Sequence, residues 1–368
     1  MEMKELLKEF MMVPAPSGYE ALMAEKLIAY FKKYCDSVEM DRSGNVIGKI
    51  EGKHPEYPAF MVFGHMDSIG MIVRKVLSDG FIKVDRLGGL PEKVLPGTEF
   101  IVRSEDGKWY PAILGPKSHH ITPASEKYVV DTIDKLALDI GCVSKEEVNA
   151  MGIYTGCPAV YKPRVNELAN GRISGTFIDN RGACAAIVRI AELLHENRPD
   201  CTVYIVGTVQ EEYNLRGAMM AARTVKPDIA IGIDVTLAGD TPDMDHYFDN
   251  TVGAGPGVQL YTFHGRGTLN GNLAHEPLFK LICRKAEDEN IRIQRTTGLG
   301  MLTDASYLQL EGMGVACMDV GFATRYTHTP VETCDPDDIE ELSQLVSSVA
   351  KSIDDYFHLG RLTPDMKN

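Results

Sequence analysis

No two of the eight cysteines, at positions 35, 142, 157, 184, 201, 283, 317 and 334, form a CxxC pair or any tight cluster. That absence excludes a zinc ribbon and a small disulfide scaffold, and it is the usage expected of mostly buried thiols in a reducing compartment. No stretch approaches the roughly 18 consecutive apolar residues of a membrane span, and the opening MEMKELLKEF has no basic segment followed by an apolar run. The expectation is a cytoplasmic protein, neither secreted nor embedded in a membrane. Positive charge is also scarce, since 38 Lys and Arg stand against 52 Asp and Glu for a net charge of −14. With no basic stripe to offset that balance, nucleic acid is not an expected partner. Internal repeats and low-complexity tracts are missing too. What is present is an ordinary globular composition, 44% hydrophobic and 24% charged, in 368 residues. That length is too great for one typical domain and suits two.

The chain alternates apolar strands with amphipathic helices and then changes texture. Met1 to Met12 reads as a short amphipathic helix, and Ser17-Gly18-Tyr19-Glu20 has the form of a capping box for a helix with Leu22, Leu27, Ile28 and Phe31 on its apolar face. Strands follow around 37–41, 45–51 and 59–63. From about Ile69, short alternating strands (81–84, 99–102, 109–114) are separated by Asp79-Gly80, Gly88-Gly89, Pro96-Gly97 and Asp106-Gly107 turn signals. Residues 127–140 look strand-like, and the α/β pattern resumes after Pro163. The expectation is therefore α/β: a central mixed sheet flanked by helices on both faces, interrupted by a small inserted β-barrel. The boundaries are 1–68 and 164–368 for the main domain and 69–163 for the β-rich insert.

Polar residues recur where the apolar strands end. Residues 203–209 (VYIVGTV) run into Gln210-Glu211-Glu212, and AFMVF runs into Gly64-His65-Met66-Asp67. Phe177-Ile178 leads to Asp179-Asn180-Arg181-Gly182 ahead of a helix, and Ile229–Ile233 ends at Asp234. A later polar loop, 321–330, presents His328. Each has an unremarkable reading: a Glu-Glu pair is often a solvated turn, and an Asp before a helix is often its N-cap. Together they describe the crevice beyond the carboxyl ends of strands, where ligands sit in open α/β sheets. His65, Asp179, Glu212, Asp234 and His328 are imidazole and carboxylate donors without thiolate, which suit Zn²⁺, Co²⁺ or Mn²⁺. Five such ligands with one shared carboxylate match a pair of ions about 3.5–4 Å apart. Glu211 is the spare carboxylate that can move a proton. Asp67, two residues from His65, either touches metal or fixes its neighbour's tautomer, and spacing does not separate the two. His119-His120 could border the site from the insert, although a surface or interface role suits them better.

The set GHMDSIG, FIDNRGA, VQEEYNLRGA, IGIDVT, TDAS and TRYTHTPVE resembles the M42 family of metal-dependent aminopeptidases, and GPKSHHIT and ALDIGCVSKEEVNAMGI extend the likeness through the insert. The resemblance implies a zinc-peptidase type of the phosphorylase/hydrolase-like fold, with peptide substrates cleaved at the N-terminus. It implies that Asp179 is shared by two divalent ions, one also held by His65 and Asp234 and the other by Glu212 and His328. Glu211 matches the general base that activates the attacking water, and Asp67 the carboxylate orienting His65. It further implies that the insert builds subunit contacts in a homo-oligomer, a dodecamer built from dimers.

Two positions depart from the family pattern. Asn180 stands where a second aspartate is common, and Met301-Leu302 where Gly-Gly is common before the Thr-Asp-Ala motif. The first alters a contact behind the ligands and the second bulks a loop bordering the substrate pocket. Two other classes stay open at this point: a glycoside hydrolase of endoglucanase type, which also uses paired carboxylates, and a catalytically inactive metal-binding paralogue.

Overall fold

The computed structural model describes residues 1–244, 247–264 and 271–362. Nine strands form one mixed sheet. Its centre is four parallel strands in the spatial order Val203–Thr208, Phe60–His65, Ile229–Leu237 and Ala316–Thr324. Val46–Ile50 and Ser37–Met40 extend it antiparallel on one side. On the other side lie Gly257–Phe263, Gly271–Leu273 and Gln294–Leu299.

The central strands are buried at nearly every residue because both faces are covered, and the two-residue period of a strand divides their apolar side chains between two cores. Phe60, Val62, Val203, Ile205, Ile229 and Ile231 pack on one face against the helices Met3–Met11, Ala21–Tyr34, Ile178–Glu196 and Pro336–Ala350. Met61, Phe63, Val206 and Ala230 point the other way, toward Ala218, Ala221 and Ala222 of Gly217–Val225. The expected mixed sheet with helices on both faces is thus observed. No helix among the described residues is long and apolar enough to cross a membrane, and all eight cysteines are free thiols.

The helix Ile178–Glu196 lies against the sheet centre, and two glycines set how closely it can approach. A Cβ on Gly64 would lie 2.5 Å from that of Ala183, and one on Gly182 would lie 2.1 Å from the buried Phe322 ring. Both glycines neighbour site residues, so this close approach is what carries Asp179 to the strand ends.

Residues 70–161 form a separate five-stranded sheet, in the order Ile82–Leu87, Gly70–Val76, Pro158–Tyr161, Thr98–Arg103 and Trp109–Leu114. It has its own core of Val84, Phe100, Leu114, Tyr161 and their neighbours. The 127–140 stretch is not a strand. Its end contributes only isolated bridges, Leu138 to Ile82 on one edge strand and Asp139 to Ile113 on the other. Those bridges tie the two edges together without a continuous ladder.

The capping box is also corrected. Ala21–Tyr34 has Glu20 at its N-cap with no side-chain cap bond; instead the Ser17 hydroxyl donates to Asp67 Oδ2 at 2.6 Å, and Glu20 accepts from the backbone N–H groups of Gly18 and Gln210. The Ser17 hydroxyl was drawn away by a tertiary partner, and the Glu20 carboxylate is shared between a local N–H and a distant one. Leu22 is exposed, and the buried face is Met23, Ala24, Leu27 and Phe31.

Replacing a helical glycine by alanine normally stabilises by up to about 1 kcal/mol. At Gly182 the Phe322 clash reverses the sign: Gly182→Ala is expected to cost about 1–3 kcal/mol, read as a lower denaturation midpoint in urea. An unchanged or raised midpoint would refute the close approach.

Candidate metal centre

Every site residue expected from sequence lies at the carboxyl ends of the four parallel strands. His65 closes Phe60–His65, Asp234 lies near the end of Ile229–Leu237, and Glu211 and Glu212 follow Val203–Thr208. Asp179 comes from the first turn of Ile178–Glu196, and His328 from the loop after Ala316–Thr324. His119 and His120 are exposed and do not line the cavity.

Asp179 is the centre of the geometry. His65 Nε2 lies 3.2 Å from its Oδ1, and His328 Nε2 lies 3.5 Å from its Oδ2. His65 Nε2 is also 3.8 Å from Asp234 Oδ1 and 3.8 Å from Glu211 Oε2, while His328 Nε2 is 3.4 Å from Glu212 Oε2. Three sets of donor atoms lie within 4.8 Å of one another: His65, Asp179 and Asp234; Asp179, Glu212 and His328; His65, Glu211 and Glu212. The first two share Asp179, one oxygen to each side.

The histidine rings are oriented from behind. His65 Nδ1 faces the Asp67 carbonyl at 3.1 Å and its carboxylate at 3.4 Å. His328 Nδ1 faces the Gly89 carbonyl at 3.0 Å. An N–H donated on that side leaves Nε2 with its lone pair toward the cluster, the tautomer a metal ligand needs. Asp67 joins none of the three donor sets. Its Oδ1 accepts the Glu211 N–H at 3.0 Å and its Oδ2 the Glu212 N–H at 3.1 Å, so one buried carboxylate aligns both glutamates with His65.

Several contributors escaped the sequence reading. Buried Glu332 accepts the His328 N–H (2.7 Å) on one oxygen and the Asp179 N–H (3.1 Å) on the other. Fully buried Arg181 donates to the carbonyls of Met66 (2.6 Å) and Val13 (3.1 Å), tying the His65 turn to the N-terminal segment. Gly88-Gly89, read only as a turn, reaches from the second sheet to Glu212 and His328, and a Cβ on Gly89 would lie 2.9 Å from His328 Nδ1. His264 lines the cavity as well. None of these carried a local signal in the sequence, because each acts through partners far along the chain.

Asn180 serves two purposes. Its Oδ1 accepts the Ala183 N–H at 3.0 Å, capping the helix, and its Nδ2 donates to Asp234 Oδ1 at 2.9 Å and the Ile233 carbonyl at 3.1 Å. The cap therefore falls to Asn180, which frees Asp179 for the cluster. An ionised aspartate could not make the donation to Asp234.

Burial of so many carboxylates dominates the electrostatics. Glu211 is pushed well above the usual range by burial, with Asp234 and Glu212 adding repulsion. Glu212 is pushed by burial up to about 7, and Asp234 well up, again by burial. Burial also opposes ionisation of Asp179, but hydrogen bonds from His328 and His65 outweigh it and hold this carboxyl below its ordinary value. For His65 and His328 the surrounding carboxylates overcome desolvation and raise both rings. Asp179 Oδ1 and Glu212 Oε1 are buried without a hydrogen-bond partner. Imidazole Nε2 atoms, unsatisfied carboxylate oxygens and an excess of negative charge fit divalent cations.

The cluster lies at the base of a cavity of about 630 Å³. Around it Gln210, Asn214, Leu215, Tyr326 and His328 all have positive φ, between 55° and 81°. Such backbone strain in non-glycine residues gathers where the surroundings enforce a functional geometry.

These shifts set a pH dependence for the metal-free protein. Glu212 takes up its proton near 4.5 when unfolded but near 7 when folded, so the folded state binds more protons between those values and its stability falls as pH rises. The raised histidines lose stabilisation in the same direction above 6.5. Chelated protein is therefore expected to melt at least about 5 °C lower near pH 8 than near pH 5, and added Zn²⁺ to raise the midpoint most at the alkaline end. A midpoint that climbs with pH in chelator would contradict this charge distribution.

The comparisons agree with the geometry. The model of the M42 glutamyl aminopeptidase family matches residues 44–345. A lysyl aminopeptidase of Pyrococcus furiosus is 29% identical, with 95% of this chain and 97% of that protein covered. Among solved structures, the aminopeptidase APDkam598 of Desulfurococcus kamchatkensis superposes with a TM-score of 0.88 at 33% identity, covering 95% of this chain and 94% of that one. The TET1 peptidase of Pyrococcus horikoshii, which assembles into a tetrahedron or a large octahedral shell, superposes at 0.83 with 26% identity and 95% and 100% coverage. With its strand-end cluster of carboxylates and histidines, and a match spanning most of its length, the chain belongs to the M42 family of aminopeptidases.

Proposed function

We propose that the protein removes N-terminal residues from peptides with two divalent ions, Zn²⁺, Co²⁺ or Mn²⁺, held at the shared Asp179. His65 and Asp234 complete one ligand set, Glu212 and His328 the other. The observation that carries this reading is the pair of three-ligand sets meeting at the two oxygens of one aspartate. Bound there, the ions supply Lewis-acid activation of water and of the scissile carbonyl. Glu211, buried beside His65 and outside both sets, takes the proton of the attacking water and returns it to the leaving amine. Asp67 positions the glutamates and His65 through the bonds described above. The clustered carboxylates also favour the positively charged amino terminus of a peptide, which suits an exopeptidase.

Paired carboxylates alone would serve a glycosidase, but that chemistry has no use for two imidazoles aimed into the cluster. The inactive-paralogue reading loses its motive at Asn180, whose amide supports Asp234 instead of disrupting it. Localisation in the cytoplasm fits the free thiols.

The second sheet is proposed to be a discrete domain, about residues 69–163, closed into a small barrel by the 138–139 bridges. It exposes Ile121, Tyr128, Val129 and Val130, a group of large apolar side chains better suited to an interface than to water. We assign to it the contacts of a homo-oligomer, a dodecamer built from dimers. Sedimentation is expected near twelve times the chain mass of 40.6 kDa; a species of one chain only, at micromolar concentration, would defeat the assembly.

Two variants test the chemistry. Glu211→Gln keeps size and shape but cannot accept a proton, so turnover is expected to fall about 10²–10⁴-fold with metal content intact. Asp179→Ala is expected to lose both metal and activity, measured by elemental analysis beside peptide hydrolysis. Near-normal turnover of the first, or two equivalents of metal in the second, would remove those residues from their roles.

A further inference from the structure

A strand satisfies its backbone by pairing with its neighbours, and where the pairing stops each further N–H needs another acceptor. Val203–Thr208 leaves its ladder at Thr208, opposite His65. The next four N–H groups are all received by side-chain oxygens from distant parts of the chain. Val209 donates to Asn45 Oδ1 at 3.0 Å, Gln210 to Glu20 Oε1 at 3.1 Å, Glu211 to Asp67 Oδ1 at 3.0 Å and Glu212 to Asp67 Oδ2 at 3.1 Å. The turn is closed from its far end, where the Leu215 N–H donates to the Glu211 carbonyl at 2.8 Å and the Arg216 N–H to the Gln210 carbonyl at 3.3 Å.

Within this run the chain changes direction at Gln210, which stands at φ 55° directly before the two glutamates. A non-glycine residue keeps that conformation only where its surroundings impose it, and the acceptor at this position is Glu20. The Glu20 side chain is 7% exposed, and among the described residues it accepts from the backbone N–H groups of Gly18 and Gln210. It occupies the N-cap of Ala21–Tyr34, whose Met23, Leu27 and Phe31 are seated in the main core. Three residues earlier, Ser17 donates its hydroxyl to Asp67 Oδ2 at 2.6 Å and its N–H to the Ser68 carbonyl at 3.2 Å. Glu20 thus carries the position of a packed helix to the turn, and a charged acceptor makes that bond stronger than a neutral one.

We infer that Glu20 is a positioning residue for the general base: through Gln210 it fixes where Glu211 places its carboxylate. The inference rests on the aminopeptidase reading above. Glu20 belongs to none of the donor sets and does not line the cavity, so it acts only through the turn. Without its oxygen Gln210 is free to leave the left-handed region, and the segment pivots on Asp67. Glu212, as a ligand, is held at its carboxylate as well as its backbone. Glu211, outside the two sets that meet at Asp179, is held from its backbone alone and is the side chain that moves.

Steady-state kinetics on the best of a panel of aminoacyl-4-nitroanilides, with Zn²⁺, Co²⁺ or Mn²⁺ supplied to the intact enzyme, tests the role. Displacing a reacting group by roughly 1 Å is enough to cost about 100-fold, so Glu20→Ala is expected to lower kcat about 10–100-fold. KM is expected to stay within about threefold and bound metal, by elemental analysis, to be unchanged. Glu20→Gln keeps an oxygen at the same reach and should recover most of the loss. If Glu20→Ala fails to fold, Glu20→Asp, which withdraws the oxygen by one methylene and keeps the charge, takes its place with an expected loss of about 10-fold. The deciding readout is non-additivity: in a Glu211→Gln background, with no base left to position, the same substitution should lower kcat by less than about threefold. An unchanged kcat, metal lost in step with kcat, or an equal loss with and without Glu211 overturns the positioning role and leaves the aminopeptidase reading intact. If the unaltered enzyme, with metal bound, turns over none of the panel, the aminopeptidase reading is removed and the role of Glu20 falls with it.

Discussion

Five carboxylates, those of Asp67, Asp179, Glu211, Glu212 and Asp234, are packed with two imidazoles in one desolvated crevice, and their mutual repulsion is the constraint around which this fold is arranged. Burying one ionised carboxylate is costly, and burying several side by side is tolerable only with cations or bound protons among them. Among the described residues no lysine or arginine side chain pairs with these carboxylates, and the buried Arg181 spends its hydrogen bonds on backbone carbonyls. The metal-free cluster accordingly holds protons on Glu211, Glu212 and Asp234 where metal ions would otherwise balance the charge.

What the fold contributes is position, supplied through backbone N–H groups. Asp67 fixes the Glu211-Glu212 turn, and Glu332 fixes the backbones of Asp179 and His328. Each clamp is a carboxylate outside the donor sets whose two oxygens receive two backbone N–H donors, adjacent ones of a single turn for Asp67 and ones from two separate segments for Glu332. The second sheet joins in: the Gly89 carbonyl faces His328 Nδ1 at 3.0 Å, and the Tyr161 hydroxyl donates to the His328 carbonyl at 3.4 Å. The His328 loop, with its positive φ, is thereby held from both sides. Clamps of this kind hold the donor side chains in place through the protein's own hydrogen bonds.

How much of this could be read from sequence follows from the range of the interactions. His65, Asp179, Glu211, Glu212, Asp234 and His328 were legible because each is a polar residue at the end of an apolar strand or in the turn beyond it, and strand burial is a local, periodic signal. The central sheet was legible for the same reason. Glu332 was not, since its partners Asp179 and His328 are brought to it by a three-strand pairing of short segments with no periodicity to read. The Ser17–Glu20 box misled because local capping lost to partners 50 and 190 residues away. Residues 127–140 misled because β-prone residues that fail to find a ladder stay irregular, and only Leu138 and Asp139 found bridges.

The adjacency of Glu211 and Glu212 explains how one turn can serve two tasks. The pair lies in the bend and turn after the strand, and Gln210, at φ 55° with its N–H donated to Glu20, sets the direction in which it leaves. Asp67 then receives both N–H groups, so neither glutamate can turn without breaking a charge-assisted hydrogen bond. Glu212 is left beside His328 and Asp179, whereas Glu211 lies against His65 outside that set. Two chemically identical side chains one residue apart thus stand in different fields, one beside His328 and the shared aspartate and the other beside His65. In the proposed reaction that difference is what separates a ligand, which must stay ionised, from a base, which must be able to hold a proton.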